Sequence, residues 1–107
     1  MKIIAALALL IFSCNTNAGY YDGNDLQGLA GFDSPMLSAY IAGVVDADGG
    51  KSICLPSGPS VRQLTDIVKI FLTKNPQRRH EQGSILVIES LGAEFPCHGK
   101  NSKYIRA

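Results

Sequence analysis

The sequence predicts an all-α fold: a small four-helix domain with one disulfide, preceded by a cleaved signal peptide. Three observations predict it. Four segments repeat apolar residues at the three- and four-residue spacing of a helix face. Helix-start signals recur, at Ser34-Pro35, at Ser60 with Gln63 three residues on, and at Asn75-Pro76. Two cysteines, Cys54 and Cys97, are left once the N-terminal segment is removed.

That segment opens with Lys2 and an unbroken apolar run over residues 3–12. The run is about half the roughly 20 residues needed to cross a bilayer core. A basic start, a short apolar stretch and a small-residue site after a polar tract make a secretory signal. Thr16-Asn17-Ala18 puts small side chains at the two positions a signal peptidase reads, so cleavage is expected after Ala18. The rival reading is a lipoprotein signal with Cys14 acylated. Bulky Phe12 stands where such a signal usually has a small residue, which counts against it. The expected organisation is a signal peptide at 1–18, a helical domain at 19–97 and a flexible tail at 98–107.

Export resolves the cysteine count. The chain has three cysteines, and Cys14 leaves with the signal peptide. The remaining pair, in a short exported chain, implies a Cys54–Cys97 disulfide, because the compartment is oxidising and a small core needs support. The two lie 43 positions apart, a loop whose closure is worth about 4 kcal/mol in the chain-entropy model.

The mature segment has room for one domain and one core. Of the ten basic and nine acidic residues, Lys2 goes with the signal, so the mature chain is formally neutral. Neutrality argues against nucleic acid, which calls for a basic stripe, and against electrostatic membrane binding. It suits a protein partner.

The first helix is expected over residues 22–31, with Leu26, Leu29 and Ala30 inward and Gly28 and Gly31 weakening it. The second starts at Ser34-Pro35 and turns Leu37, Tyr40, Ile41, Val44 and Val45 to one face. It is expected to end in the loop "DADGGKS". A rigid "CLPSGPS" connection follows. The third helix opens with the capping box Ser60/Gln63 and carries a broad stripe of Val61, Leu64, Ile67, Val68, Phe71 and Leu72. The fourth is expected from Asn75-Pro76, polar through "QRRHEQ", then apolar at Ile85, Leu86, Val87, Ile88 and Leu91. It stops near Phe95-Pro96. The disulfide then clamps the third and fourth helices as a hairpin.

An enzyme needs a nucleophile, a base and a group to hold charge. Two histidines are present. His98 follows Cys97 in the tail. His80 sits in Arg78-Arg79-His80-Glu81, where the bland reading is ion pairing with neighbouring acids and the sharp one a contact surface for an anionic partner. With the cysteines paired no thiol nucleophile is left, and metal binding lacks ligands. Gly49-Gly50-Lys51-Ser52 resembles the end of a phosphate loop without its glycine spacing or preceding strand. Asp46 and Asp48 lack the distal glutamate of a calcium loop. No catalytic set, cofactor or metal is expected, and the protein is read as a non-enzyme.

Several short motifs then occur in a fixed order: Gly23-Asn24-Asp25-Leu26, residues 40–46 as "YIAGVVD", Cys54-Leu55-Pro56, Gln63-Leu64, Asn75-Pro76 with Arg79-His80, and Phe95-Pro96-Cys97. In this order the chain resembles the periplasmic immunity proteins of type VI secretion peptidoglycan amidases, the Rap/Tai type. The resemblance spans nearly the whole mature chain. It implies a helical, disulfide-bonded periplasmic protein, often a homodimer, that binds a cognate amidase effector and occludes its active site. It also implies scaffold roles: Tyr40 and Phe95 in the core, Pro56 and Pro76 at helix boundaries, His80 as an internal hydrogen-bonding group. Relatives usually carry a second cysteine pair; Ala30 and Leu37 stand at the corresponding positions, so the first helix is expected to be held by packing alone and to loosen first.

The inhibitory surface is marked by no motif. The expected partner-binding segment is the charged turn of Asp46, Asp48, Gly49, Gly50 and Lys51, whose other reading is a solvated turn. The alternative function is a periplasmic acid-stress holdase, a class that is also small, helical and closed by one long disulfide loop, and that exposes apolar surface when its carboxylates are protonated.

Overall fold

The computed structural model describes residues 20–32 and 34–97. The expected signal peptide, its cleavage site, Cys14 and the tail lie outside them. Helices α1 (Gly23–Phe32), α2 (Ser34–Asp48), α3 (Val61–Lys74) and α4 (Gly83–Glu94) follow in order, with a 3-10 turn at Pro76–Arg78 between α3 and α4. The fold is all-α, and among the described residues extended pairing is confined to two isolated bridges, Asp22 with Gln82 and Ile53 with Pro96. Cys54 and Cys97 are bonded, their Cα atoms 5.0 Å apart. The bond ties the segment entering α3 to the end of α4, as the sequence predicts.

The helical stripes meet in one core. Leu26 and Leu29 of α1, Leu37 and Ile41 of α2, Leu64, Val68 and Leu72 of α3, and Leu86, Val87 and Leu91 of α4 are buried, with Ile53 and Phe95 closing the disulfide end. Each helix packs on the other three. Tyr40 is half-buried at the edge of this cluster, whereas Phe95 lies within it. At the positions of the missing cysteine pair, Leu37 is fully buried and Ala30 packs against the same cluster, so hydrocarbon fills that site.

Two of the three start signals are realised: α2 begins at Ser34 and α3 follows Ser60. Ser60 Oγ accepts the Gln63 N–H at 3.2 Å while Gln63 Oε1 accepts the Ser60 N–H at 2.7 Å. Each thereby satisfies a donor that the first helical turn cannot pair. At α1 two aspartates do the same: Asp25 Oδ2 accepts from Asp22 N at 3.0 Å, and Asp22 Oδ1 from Asp25 N at 2.9 Å. Across helices, the Ser38 and Thr65 hydroxyls meet at 2.8 Å and Lys69 Nζ donates to Ser34 Oγ at 2.9 Å.

Three sequence expectations are corrected. The fourth helix begins at Gly83, not at Asn75-Pro76. The Arg79 and Glu81 carbonyls accept the N–H groups of Asn24 and Gly23 at 2.9 and 3.0 Å, and the Gly83 N–H goes to the Tyr21 carbonyl at 2.8 Å. Backbone groups that would close the intervening helical turn are therefore engaged with the start of α1. Asn75 instead ends α3, its backbone and side-chain N–H groups both donating to the Phe71 carbonyl at 3.1 and 2.8 Å. Secondly, the same three backbone bonds pin the start of α1, which is thus held by more than packing. Thirdly, α2 runs on through Asp48, so Asp46 and Asp48 belong to its last turn.

Candidate functional site

At the end of α2 the periodicity that turns Leu37, Ile41 and Val44 inward brings Asp48 to the same face. Asp48 is 8% exposed. Its carboxylate accepts the Ser52 N–H at 3.0 Å and the Ile53 N–H at 3.0 Å, and its backbone carbonyl accepts the Lys51 N–H at 3.2 Å. These donors, that of Ile53 above all, favour the ionised form and hold the carboxyl below its ordinary pKa. Asp48 is thus the internal clasp of a tight turn.

The turn's tip faces the other way. Gly49 and Gly50 have φ of +59° and +81°, a left-handed backbone that a side chain strains, and the space beyond each is open. Asp46, Gly49, Gly50 and Lys51 are exposed. Of the five residues expected to bind a partner, Gly49, Gly50 and Lys51 form this tip, Asp46 is exposed on the last turn of α2, and Asp48 supports the turn from within. Beneath the tip, the Gly50 carbonyl oxygen lies 3.4 Å from Cys54 Sγ and 3.3 Å from Cys97 Sγ. The Ser52 carbonyl packs so close to Gly92 of α4 that a Cβ there would stand 3.0 Å from it.

A groove of about 600 Å³ leads away from the tip between α2 and α4. Ala39, Gly43 and Ala47, one helical turn apart, form its floor on α2, with Tyr40 and Val44 beside them; Ser84 and Ile88 line it from α4, and Lys51 stands at its tip end. Tyr40 meets the Tyr21 ring edge-on at 5.6 Å, and burial pushes its phenol pKa upward. The sequence reading missed this groove. Its one signal was the small-residue repeat at positions 39, 43 and 47.

Within the basic stretch, Arg78 is committed to intramolecular ion pairs. Arg78 pairs with Glu81, donating from Nε at 2.8 Å and from a terminal nitrogen at 2.9 Å, and also with Glu89 of α4. Its guanidinium lies 5.7 Å from the centre of the Phe71 ring. Hydrogen bonds from Arg78 lower the pKa of both glutamates. The bland reading thus fits Arg78. His80 is exposed and its Nδ1 sits 3.1 Å from the Gln77 carbonyl of its own turn, so its one hydrogen bond is local rather than internal to the core. Among the described residues no cluster of three metal-ligating side chains occurs, and no helix is long and apolar enough to cross a membrane.

An exposed tip on a cross-linked scaffold, beside an apolar groove, suits protein recognition. Comparison with known proteins gives that surface a context. No curated protein and no solved structure matches the chain. The family model of the Rap1a immunity proteins does match it, over residues 10–97 of the 107. With most of its length covered, including all four helices and both disulfide cysteines, the chain belongs to the Rap1a immunity protein family.

Proposed function

We propose that the protein is a periplasmic immunity protein that binds an exported peptidoglycan amidase and neutralises it by occluding its active site. Family membership is the observation that carries the toxin-binding part, since an immunity protein acts by binding its cognate toxin. The amidase, the periplasm and a working homodimer rest on the ordered motifs and the signal-like N-terminus. In this reading Asp46, Gly49, Gly50 and Lys51 enter the amidase cleft, with Asp48 holding their shape. The tip's exposure and its internal clasp support it, because a pre-shaped loop loses little conformational entropy on binding.

The test is inhibition. The oxidised chain from Gly19 onward is titrated into an exported amidase encoded beside it, and cleavage of peptidoglycan peptides is followed. Stoichiometric loss of cleavage is expected, and Lys51→Glu combined with Asp46→Lys is expected to weaken inhibition at least tenfold with unchanged thermal stability. Full cleavage with no complex rejects the amidase pairing. The holdase reading has one observation of its own: Asp48, Glu81 and Glu89 all have lowered pKa values and must be protonated in acid. It requires suppression of client aggregation at low pH, which the immunity reading does not.

A further inference from the structure

We propose that the Cys54–Cys97 disulfide sets the conformation of the exposed Gly49–Lys51 tip, a positioning role separate from its stabilisation of the fold. The geometry is specific to one atom. The Gly50 carbonyl oxygen sits within 3.4 Å of both sulfurs at once. A disulfide sulfur carries no hydrogen, so this is a packing contact against the bond, and the bond holds both sulfurs under the oxygen at once. Without the bond each side chain is free to take another rotamer, and the oxygen loses that fixed support.

The neighbouring contacts leave the tip few other places to go. Asp48 clasps the Ser52 and Ile53 N–H groups, Cys54 N donates to the Phe95 carbonyl at 2.9 Å, and Ser52 rests on Gly92. Residues 52–54 are therefore fixed to α4 on one side and to α2 on the other. Gly49 and Gly50, which lack a Cβ and so have the widest conformational choice, are tied only by the Gly49 N–H to the Val45 carbonyl of α2 at 3.3 Å. The disulfide is the surface against which their backbone is pressed. An entropic cross-link would stabilise the fold wherever it lay; this one lies directly under the proposed contact residues.

The consequence for toxin affinity rests on the proposed function, so the decisive measurement is made on the protein alone. Amide hydrogen exchange is compared between the oxidised protein and Cys54→Ala/Cys97→Ala, whose side chains offer the Gly50 carbonyl no hydrogen bond, normalised to the buried α3 residues Val68 and Leu72. We expect the Gly49 and Lys51 amides, whose N–H groups donate to the Val45 and Asp48 carbonyls, to exchange at least tenfold faster in the variant after that normalisation. A uniform increase across tip and helices would show a global stabiliser only and overturn the proposal. If the variant does not fold, the oxidised protein is followed through rising denaturant. A positioned tip opens only with the global transition, and local opening of Gly49 and Lys51 well before it would equally overturn the proposal. A folded variant should also bind the amidase at least tenfold more weakly than the oxidised protein. If the amidase ignores the oxidised protein itself, the toxin reading fails, and the exchange comparison still decides the role of the disulfide.

Discussion

Replacing Gly23 by alanine should unseat the first helix. A Cβ at Gly23 would stand 2.6 Å from Leu86 Cδ1, 2.7 Å from Arg79 Cα and 2.9 Å from the Arg79 carbonyl oxygen. The leucine tip can rotate away, but the Arg79 backbone is held by its own turn. Relief thus requires α1 to back off, which breaks the Gly23–Glu81 and Asn24–Arg79 backbone bonds of 3.0 and 2.9 Å. Each such bond is worth about 1 kcal/mol net, and forced overpacking costs about 1–3 kcal/mol, so the expected loss is about 3–5 kcal/mol. For a domain of this size that is a fall in Tm on the order of 10–40 °C. Gly28→Ala is the matched control: it lies on the exposed face of the same helix, with nothing within 4 Å of the added Cβ. It should gain about 0.5–1 kcal/mol from helix propensity. Urea and thermal unfolding followed by circular dichroism give both values. A loss below about 0.5 kcal/mol for Gly23→Ala would refute the seating of α1 on residues 79–82.

Other outcomes follow from the same contacts. Ser60→Ala removes the acceptor of the capping box at α3 and should cost about 1 kcal/mol in urea unfolding. Leu91→Ala opens a cavity at a fully buried α4 position and should cost about 2–5 kcal/mol by the same assay. Loss of the 43-residue disulfide loop in Cys54→Ser/Cys97→Ser should cost about 4 kcal/mol, read as a lower denaturation midpoint. The Asp48 carboxyl has a lowered pKa in the folded state, so its contribution is present above the ordinary carboxylate range and is lost as pH falls through the folded value. Unfolding profiles between about pH 6 and pH 2 should therefore fall less steeply for Asp48→Asn than for the unmodified protein, with Glu81 and Glu89 supplying the remaining slope.

Much of the fold was legible because its determinants are local. The Ser60/Gln63 box acts across three residues, and the stripe of Leu64, Val68 and Leu72 declares a buried face by spacing alone. The cysteine pair followed from the expected export and from chain length. The start of α4 was not legible, since Asn75-Pro76 carries the usual start chemistry. What moves the start to Gly83 is the capture of the Arg79 and Glu81 carbonyls by a helix more than fifty residues earlier in the chain. The candidate site divides in the same way. Its residues were named from charge and glycine content, but nothing local distinguishes Asp48 from Asp46.

By itself, then, the sequence determined the helix faces, the capping of α3, the identity of the bonded cysteines and the ordered motifs of the family. These depend on side-chain chemistry and on spacings within a few turns. Only the tertiary structure decided that Asp48 turns inward to clasp the Ser52 and Ile53 amides, that the Gly50 carbonyl rests on the disulfide, and that Ala39, Gly43 and Ala47 floor a groove against α4. Each of these requires two elements to meet, and where they meet is set by how four helices fill one core.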